Sequence, residues 1–453
     1  MADVRPFRGL RYDPRRVDAG SVLCPPFDVI SPDEQTAYHA RSLHNVVRVE
    51  LGTGTADPAA PGNRYESAAQ ALDGWQSSGV LLREAQPAIY LHEQRFTLGG
   101  SEHVRRGVIV AGRLHAWDEG HVLPHEGTRQ GPKQDRLALM RATHTNVSPL
   151  WLLYEDERGT VRSALEGAWR EEPVLEAESD GQTHSLRVVT DSSVIESVVS
   201  AFASRPLYIA DGHHRYETAQ HYRDERCAAG QSNTQSGHEF AMMLLVSLDD
   251  PGLLVLPTHR LVRGIDLSGA ALREALGKWL NVAPLDLDGE DDMSRGAAME
   301  QALDEYSGQT HKQGHVFGLM DAEGAWLLTP RQDAEWKRLL PDGHTPAWSE
   351  LDVSILDSIA IREVCGIRAE GESGKADATS HAPSDRLAYV SDFPGAVRAV
   401  RVGEAQAAFF LNATRVEQVC AVAAARDRMP PKSTFFYPKP ATGLVLHPLD
   451  GTR

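Results

Sequence analysis

No apolar run in these 453 residues is long enough to cross a bilayer as a helix. The longest, Phe240–Leu248 (FAMMLLVSL), is about half of what a span needs. The opening stretch MADVRPFRGLRYDPRR carries charge, but no apolar segment or small-residue cleavage site follows it. No secretory signal is read, and the cytoplasm is the expected compartment. Cysteine is scarce: Cys24, Cys227, Cys365 and Cys420 lie far apart and form no CxxC or Cys/His pair with zinc-finger spacing. That pattern excludes a disulfide scaffold and predicts reduced, mostly buried thiols. Positive charge is also short. Against 63 acidic residues stand 46 basic ones, a net charge of −17 with no basic run, which argues against nucleic acid or an anionic membrane as partner. Lysine is rarest of the charged types, at seven against 39 arginines, so a lysine inside a motif stands out.

What is present reads as ordinary globular chain, with 41% apolar and 24% charged residues and a length that suggests two or three domains, or one large elaborated one. The small, polar runs Gly52–Asn63, Cys227–Gly237 and Ala369–Pro383 read as surface loops, and the acidic stretch Asp286–Asp292 as a solvated turn without EF-hand spacing. Helical periodicity covers Tyr65–Ser78, Arg215–Ala229, Leu267–Leu280, Gly296–Tyr306, Leu351–Val364 and Val416–Ala425. Strand-like runs cover Ala88–Phe96, Val104–Leu114, Leu150–Tyr154, Pro206–Ala210, Ala241–Leu248, Leu253–Pro257, His315–Leu319, Ala325–Leu328 and Ala407–Leu411. Strands and helices interleave, which predicts a mixed α/β (α+β) protein with more than one sheet. We divide it into an N-terminal α/β domain (1–265) carrying the chemistry, a second α/β domain (266–384), and a C-terminal segment (385–453) that returns to the site.

The sharpest segment is Pro206–Ala219, PLYIADGHHRYETA: a buried-looking strand, an Asp-Gly turn, and a helix that opens with two histidines and an arginine. A strand feeding a helix through glycine aims unpaired N–H groups and a positive dipole end at one point, a ready anion site. Gly212 lets a phosphate approach the backbone and Arg215 can grip it. Asp211 can hold a metal ion or cap the helix, and the plain alternative is a capped helix with solvent-facing His213 and His214. Next, His121–Arg136 (HVLPHEGTRQGPKQDR) gathers His125, Glu126, Thr128, Lys133 and Arg136. Its prolines and glycines read as helix breakers, so it is expected to be a loop, and because HEGTR is not HExxH no zincin helix is predicted. LPTHR is read as ending a strand with Thr258, His259 and Arg260, and Met429–Leu444 sets Lys432, Ser433 and Lys439 among prolines and aromatics. The plain readings are a strand-end turn and an apolar clamp.

Together CPPFDVIS, the HEGT…KxDR loop, YIADGHHRYETA, LPTHR, FLNATRVEQV and MPPKSTFFYPKP resemble the bacterial and archaeal family known as domain of unknown function 1015, from about Arg5 to His447. The Asp-Gly-His-His-Arg element is similar to the phosphate-binding G-x-x-R turn of the ParB and sulfiredoxin superfamily, which includes kinases of free serine. That resemblance implies a strand-turn-helix phosphate site at Gly212 and Arg215. The cysteine a sulfiredoxin needs is replaced by His213, and the basic DNA-binding helix of a partition protein is missing.

The expectation is an enzyme that transfers a phosphoryl group from a nucleotide, with Mg²⁺, to a small hydroxylated metabolite such as serine. Phosphoryl transfer asks mainly for positioning and charge. Gly212, Arg215, Lys133, Arg136, His125, Thr128, His259, Arg260, Lys432, Ser433 and Lys439 are the candidate phosphate or nucleotide ligands. Glu126, Asp211, His213 and His214 are the candidate catalytic groups, with Asp211 also the candidate metal ligand. Two alternatives stay open: a metal-dependent hydrolase using His121, His125, Asp211, His213 and His259, and a module that binds nucleotide without turnover.

Overall fold

The computed structural model describes all residues except 1, 129, 232, 234–235, 310–313, 369–385 and 450–453, so the loop expected at Ala369–Pro383 and part of that at Cys227–Gly237 lie outside the described residues. The fold is mixed α/β. It divides into two compact units, Met1–Leu254 with Pro438–Arg453, and Val255–Tyr437.

The first unit is built on a nine-stranded sheet. Its strands are β1 (Val4–Arg5), β2 (Ile89–Leu98), β3 (Ser101–Arg113), β4 (Val122–Leu123), β5 (Leu150–Tyr154), β6 (Leu175–Ser179), β7 (Gln182–Val189), β8 (Leu207–Asp211) and β9 (Phe240–Ser247). They run in the order β4-β8-β5-β9-β3-β2-β7-β6, with β1 on β3. β9 is the longest apolar run in the chain, and its burial on both faces explains why it does not alternate. It pairs parallel with β5 and antiparallel with β3, while β8 pairs parallel with β4 and antiparallel with β5. Three helices concern the site: α1 (Gln130–Thr143), α2 (Ser192–Phe202) and α3 (His213–Ala228). Tyr216, Ala219 and Tyr222 of α3 and Ile195, Val198 and Phe202 of α2 close one core with Leu152, Ile209, Met243 and Leu245 of the sheet.

α1 corrects the loop expected over His121–Arg136. Gly131 and Pro132 do not break it because they sit in its first turn, where a missing N–H has no intrahelical partner to lose. Its buried face is Lys133, Arg136, Leu139 and Met140, a helical spacing hidden by two charges.

The second unit holds a six-stranded antiparallel sheet. Its strands are β10 (His259–Val262), β11 (Leu280–Leu285), β12 (Phe317–Asp321), β13 (Gly324–Pro330), β14 (Leu387–Val390) and β15 (Ala407–Phe410). The order is β11-β13-β12-β15-β10-β14. Helices α4 (Asp292–Gln309) and α5 (Phe393–Arg401) pack against each other and supply Met299, Leu303, Phe393, Val397 and Val400 to its core. Two expectations shift here. A strand, Leu254–Leu256, does end at the first residue of LPTHR, but His259 and Arg260 begin the next one, β10, and the helix read over Leu351–Val364 is α-helical only from Asp352 to Leu356 and widens to a π-helix over Asp357–Val364.

Candidate functional site

β8 delivers Asp211 to the end of a fully buried strand, and the chain turns there into α3. Gly212 makes the turn: its φ of 100° lies where side-chain-bearing residues are strained, and a Cβ would stand 3.0 Å from Leu150 Cδ2. As the residue preceding the helix it has no side chain to cap the first turn, which starts with the Tyr216 N–H donating to the Gly212 carbonyl at 2.9 Å.

Asp211 is the electrostatic centre. One carboxylate oxygen pairs with Lys439 Nζ, and the other accepts from Arg215 Nη2 at 2.5 Å. Arg215 Nη1 also donates to the Pro149 carbonyl at 2.6 Å. Burial alone would raise the Asp211 pKa, but the Lys439 and Arg215 charges outweigh it and hold the carboxyl well below the usual range. Asp211 therefore does not cap α3. A metal ion at its oxygens would meet two cations already in place, so the arrangement does not fit Asp211 as a Mg²⁺ ligand.

A second pair lies one turn along α3. Lys133 Nζ donates to Glu217 Oε2 at 2.8 Å, and Thr128 Oγ1 donates to the same oxygen at 2.5 Å. Burial raises the Glu217 pKa, yet Lys133 and Thr128 bring it below its ordinary value, so it is a carboxylate at neutral pH. Glu217 was missed in the sequence, although its place four residues after His213 puts it on the same helix face. His213 and His125, both buried, meet with their rings edge-on at 4.7 Å, and the His125 N–H donates to His213 Nε2 at 3.3 Å. His214 is partly exposed in the same first turn, and Glu126 is partly exposed in the loop before α1.

Arg136 is buried under Phe27, 4.2 Å from the ring centroid. It donates to the Glu50 carbonyl at 2.6 Å and to Asp135 Oδ2 at 2.8 Å, a structural commitment the sequence did not suggest. A partly open cavity of ≈ 40 Å³ lined by Arg136, Asn146, Ser148, Arg215 and Thr218 has room for a few waters.

The remaining candidates belong to the second unit. His259 is fully buried, 4.2 Å from the Phe393 ring and 5.1 Å from Phe410, and its Nδ1 accepts the Leu411 N–H at 3.3 Å. Burial, with help from the Arg260 charge, lowers its pKa to about 3. Arg260, 1% exposed, pairs with both oxygens of Asp357 at 2.9 and 3.0 Å. Packing and pairing hold both in place, although His259 Nε2 is buried without a hydrogen-bond partner. Buried Ser433 donates to the Pro430 carbonyl at 2.5 Å, and exposed Lys432 takes a left-handed φ of 57°. Of the five hydrolase ligands, His259 is thus in a core and Asp211 is doubly paired.

The family model described as "Protein of unknown function (DUF1015)" matches residues 4–354. A search of curated proteins finds no match. Among solved structures, a free serine kinase in complex with AMP is 16% identical and covers 73% of this chain and 86% of its own, at a TM-score of 0.32. A conserved hypothetical protein from Pyrococcus furiosus is 14% identical and covers 75% of this chain and 93% of its own, at a TM-score of 0.33. Among the described residues, no helix is long and apolar enough to cross a membrane.

Proposed function

Since the chain belongs to the DUF1015 family, whose description assigns no activity, we propose from its own site that it handles a nucleotide or phosphorylated small molecule and transfers a phosphoryl group to a small hydroxylated acceptor such as serine. The observation that carries this reading is the glycine-opened start of α3 with Arg215 and Lys439 held on Asp211. An uncapped helix end draws anions, and two cations fixed at the same turn supply the charge that a transferring phosphoryl group needs. Lys133, held on Glu217, adds a third.

Asp211 is poorly suited to take a proton from the acceptor hydroxyl, because its cations keep it ionised. Glu126, in the partly exposed loop before α1, keeps that role. Mg²⁺ is not assigned to Asp211, and no step of this reading passes through a protein-bound metal.

The test is a mass-spectrometric screen of purified protein with Mg²⁺ and ATP, ADP or CTP against a mixture of amino acids and sugars. The expected result is one hydroxylated acceptor gaining the mass of a phosphoryl group, with the signal lost in Arg215→Ala. Nucleotide binding with no modified acceptor would favour the binding module, and hydrolysis without nucleotide would favour the hydrolase.

A further inference from the structure

Between β3 and β4 the chain makes a tight turn that the proposed phosphate chemistry does not use. After Leu114 and His115 comes a single 3₁₀ turn, Trp117–Glu119. Gly120 follows at a φ of 73°, and His121 then leads into Val122. This turn folds His115 and His121 back on each other, their rings edge to face with centroids 4.5 Å apart. Glu119 lies between them: its Oε2 is 2.8 Å from His115 Nδ1 and 3.9 Å from His121 Nε2. One ligand atom from each of the three residues lies within 4.8 Å of the other two.

The frame around them is built rather than loose. Glu119 Oε1 is held by the Ala116 N–H at 2.7 Å. His115 is 9% exposed, and its backbone is clamped to α3: its N–H donates to Tyr216 Oη at 2.9 Å, while its carbonyl accepts from Tyr216 Oη at 2.9 Å and from Gln220 Nε2 at 2.7 Å. The ring meets Glu119 through Nδ1, and its other nitrogen, Nε2, is buried without a hydrogen-bond partner, so Glu119 is the one side-chain group that this buried imidazole hydrogen-bonds.

We propose that His115, Glu119 and His121 form a divalent transition-metal site of the Zn²⁺ class, with at least one coordination position left to water. Two imidazole nitrogens and a carboxylate suit zinc and its first-row neighbours, whereas Mg²⁺ and Ca²⁺ take all-oxygen shells. Ligand atoms around tetrahedral zinc stand roughly 3.3 Å apart. The His115–Glu119 spacing is therefore already short enough, and a small rotation of the partly exposed His121 ring closes the third side. The metal would pin a turn whose Trp117 stacks on Tyr216 of α3 at 4.6 Å and whose exit strand β4 pairs with β8, the strand that ends at Asp211. Its role is to brace the frame of the phosphate turn. The site stands on its own residues and does not depend on the kinase reading.

The test uses the full chain without a histidine tag, stripped with chelator and titrated with Co²⁺ alone, read by the visible bands of the bound ion and then by displacement with Zn²⁺. One Co²⁺ per chain is expected. Affinity should fall at least tenfold in His121→Ala and in Glu119→Gln, both on the accessible side of the turn, and stay unchanged in His213→Ala. Zn²⁺ should raise the unfolding temperature of the parent but not of His121→Ala. Absence of a Co²⁺ spectrum in the parent, or binding that survives His121→Ala unchanged, overturns the site. Metal lost on His213→Ala instead would move it to the phosphate turn and revive the hydrolase.

Discussion

Two stretches of this chain carry similar side chains into opposite surroundings. His213, His214 and Arg215 follow a glycine at the end of β8, where the backbone leaves a sheet and opens a helix. His259 and Arg260 open β10, which is flanked by β14 on one side and β15 on the other, with Arg260 paired to both. Both arginines meet an aspartate. Arg215 shares its partner with a lysine at an uncapped helix end, whereas buried Arg260 closes a two-pronged pair with the partly exposed Asp357. A strand interior has its backbone donors taken by its neighbours, and a strand feeding a helix through glycine has some to spare. Residue type alone therefore says little, and backbone position decides which cluster can face a ligand.

The largest effect expected from this contrast is on stability. Arg260 is buried and Asp357 partly exposed, so Arg260→Ala loses charge-assisted hydrogen bonds and packing but leaves a carboxylate that water can reach; a cost of about 2–3 kcal/mol is expected, read as a lower urea midpoint of the second unit. Nucleotide affinity, measured by calorimetry well below the unfolding transition, should stay at the parent value. A variant as stable as the parent, or one that is folded but binds tenfold more weakly, would break the comparison by making β10 a ligand site.

Acid separates the two regions next. The folded pKa of His259 is lowered to about 3, below the ordinary 6.5, because burial disfavours its charge. Between those values the unfolded chain takes up a proton that the folded one refuses, so the stability it contributes is present above pH 6.5 and is lost as pH falls toward 3. The slope is about 1.4 kcal/mol per pH unit. Asp211 behaves differently: its folded pKa lies below the ordinary 3.8, so its contribution stays intact above that value and is lost only at lower pH. The stability difference between parent and His259→Phe should therefore slope between pH 6.5 and 4 and be flat above 7. An equal slope in both proteins would show that His259 is not held neutral in the core.

How much of this was legible can be argued from a few residues. β9 and β5 were read from uninterrupted apolar runs and α3 from its periodicity, because burial writes itself into sequence as hydrophobicity. α1 was not read, since its buried face holds Lys133 and Arg136, and a buried charge looks like a surface one until its partner is known. The partners are distant in sequence: Lys439 reaches Asp211 from the end of the chain, and Asp357 reaches Arg260 across 97 residues. Of the C-terminal segment expected to return to the site, Lys439 pairs with Asp211, whereas Lys432 and Ser433 belong to the other unit. His115 and Glu119 escaped notice because only the 3₁₀ turn brings them beside His121.

A smaller effect is expected at Gly212. Gly212→Ala places a side chain at a φ of 100°, which costs about 1–2 kcal/mol, and sets its Cβ 3.0 Å from Leu150 Cδ2. The unfolding temperature should drop by a few degrees. Nucleotide binding should weaken at least tenfold, because the methyl group covers the point a phosphate must approach. Stability lost with affinity intact would leave the glycine a turn-former only and remove the helix start from the site.

The smallest effect on stability, and the finest test of the comparison, concerns lysine. Lys133 and Lys439 sit at 10% and 12% side-chain exposure on Glu217 and Asp211, each presenting a compact ammonium to one carboxylate oxygen. In a chain so rich in arginine, a lysine at such places suits a task for which a planar guanidinium is too broad, such as sharing one charge between a carboxylate and an arriving phosphate. Lys432 is exposed, and an exposed side chain tolerates either cation. Lys133→Arg and Lys439→Arg should each change stability by no more than about 1 kcal/mol, yet weaken binding of ATP or a phosphorylated ligand about tenfold. Lys432→Arg should change neither. The readouts are thermal unfolding beside isothermal titration, so that a loss of fold is not mistaken for a loss of affinity. If both buried variants bind like the parent, the ammonium groups at α3 only neutralise buried carboxylates, and the resemblance between the Arg215 and Arg260 clusters becomes closer than their backbones suggest.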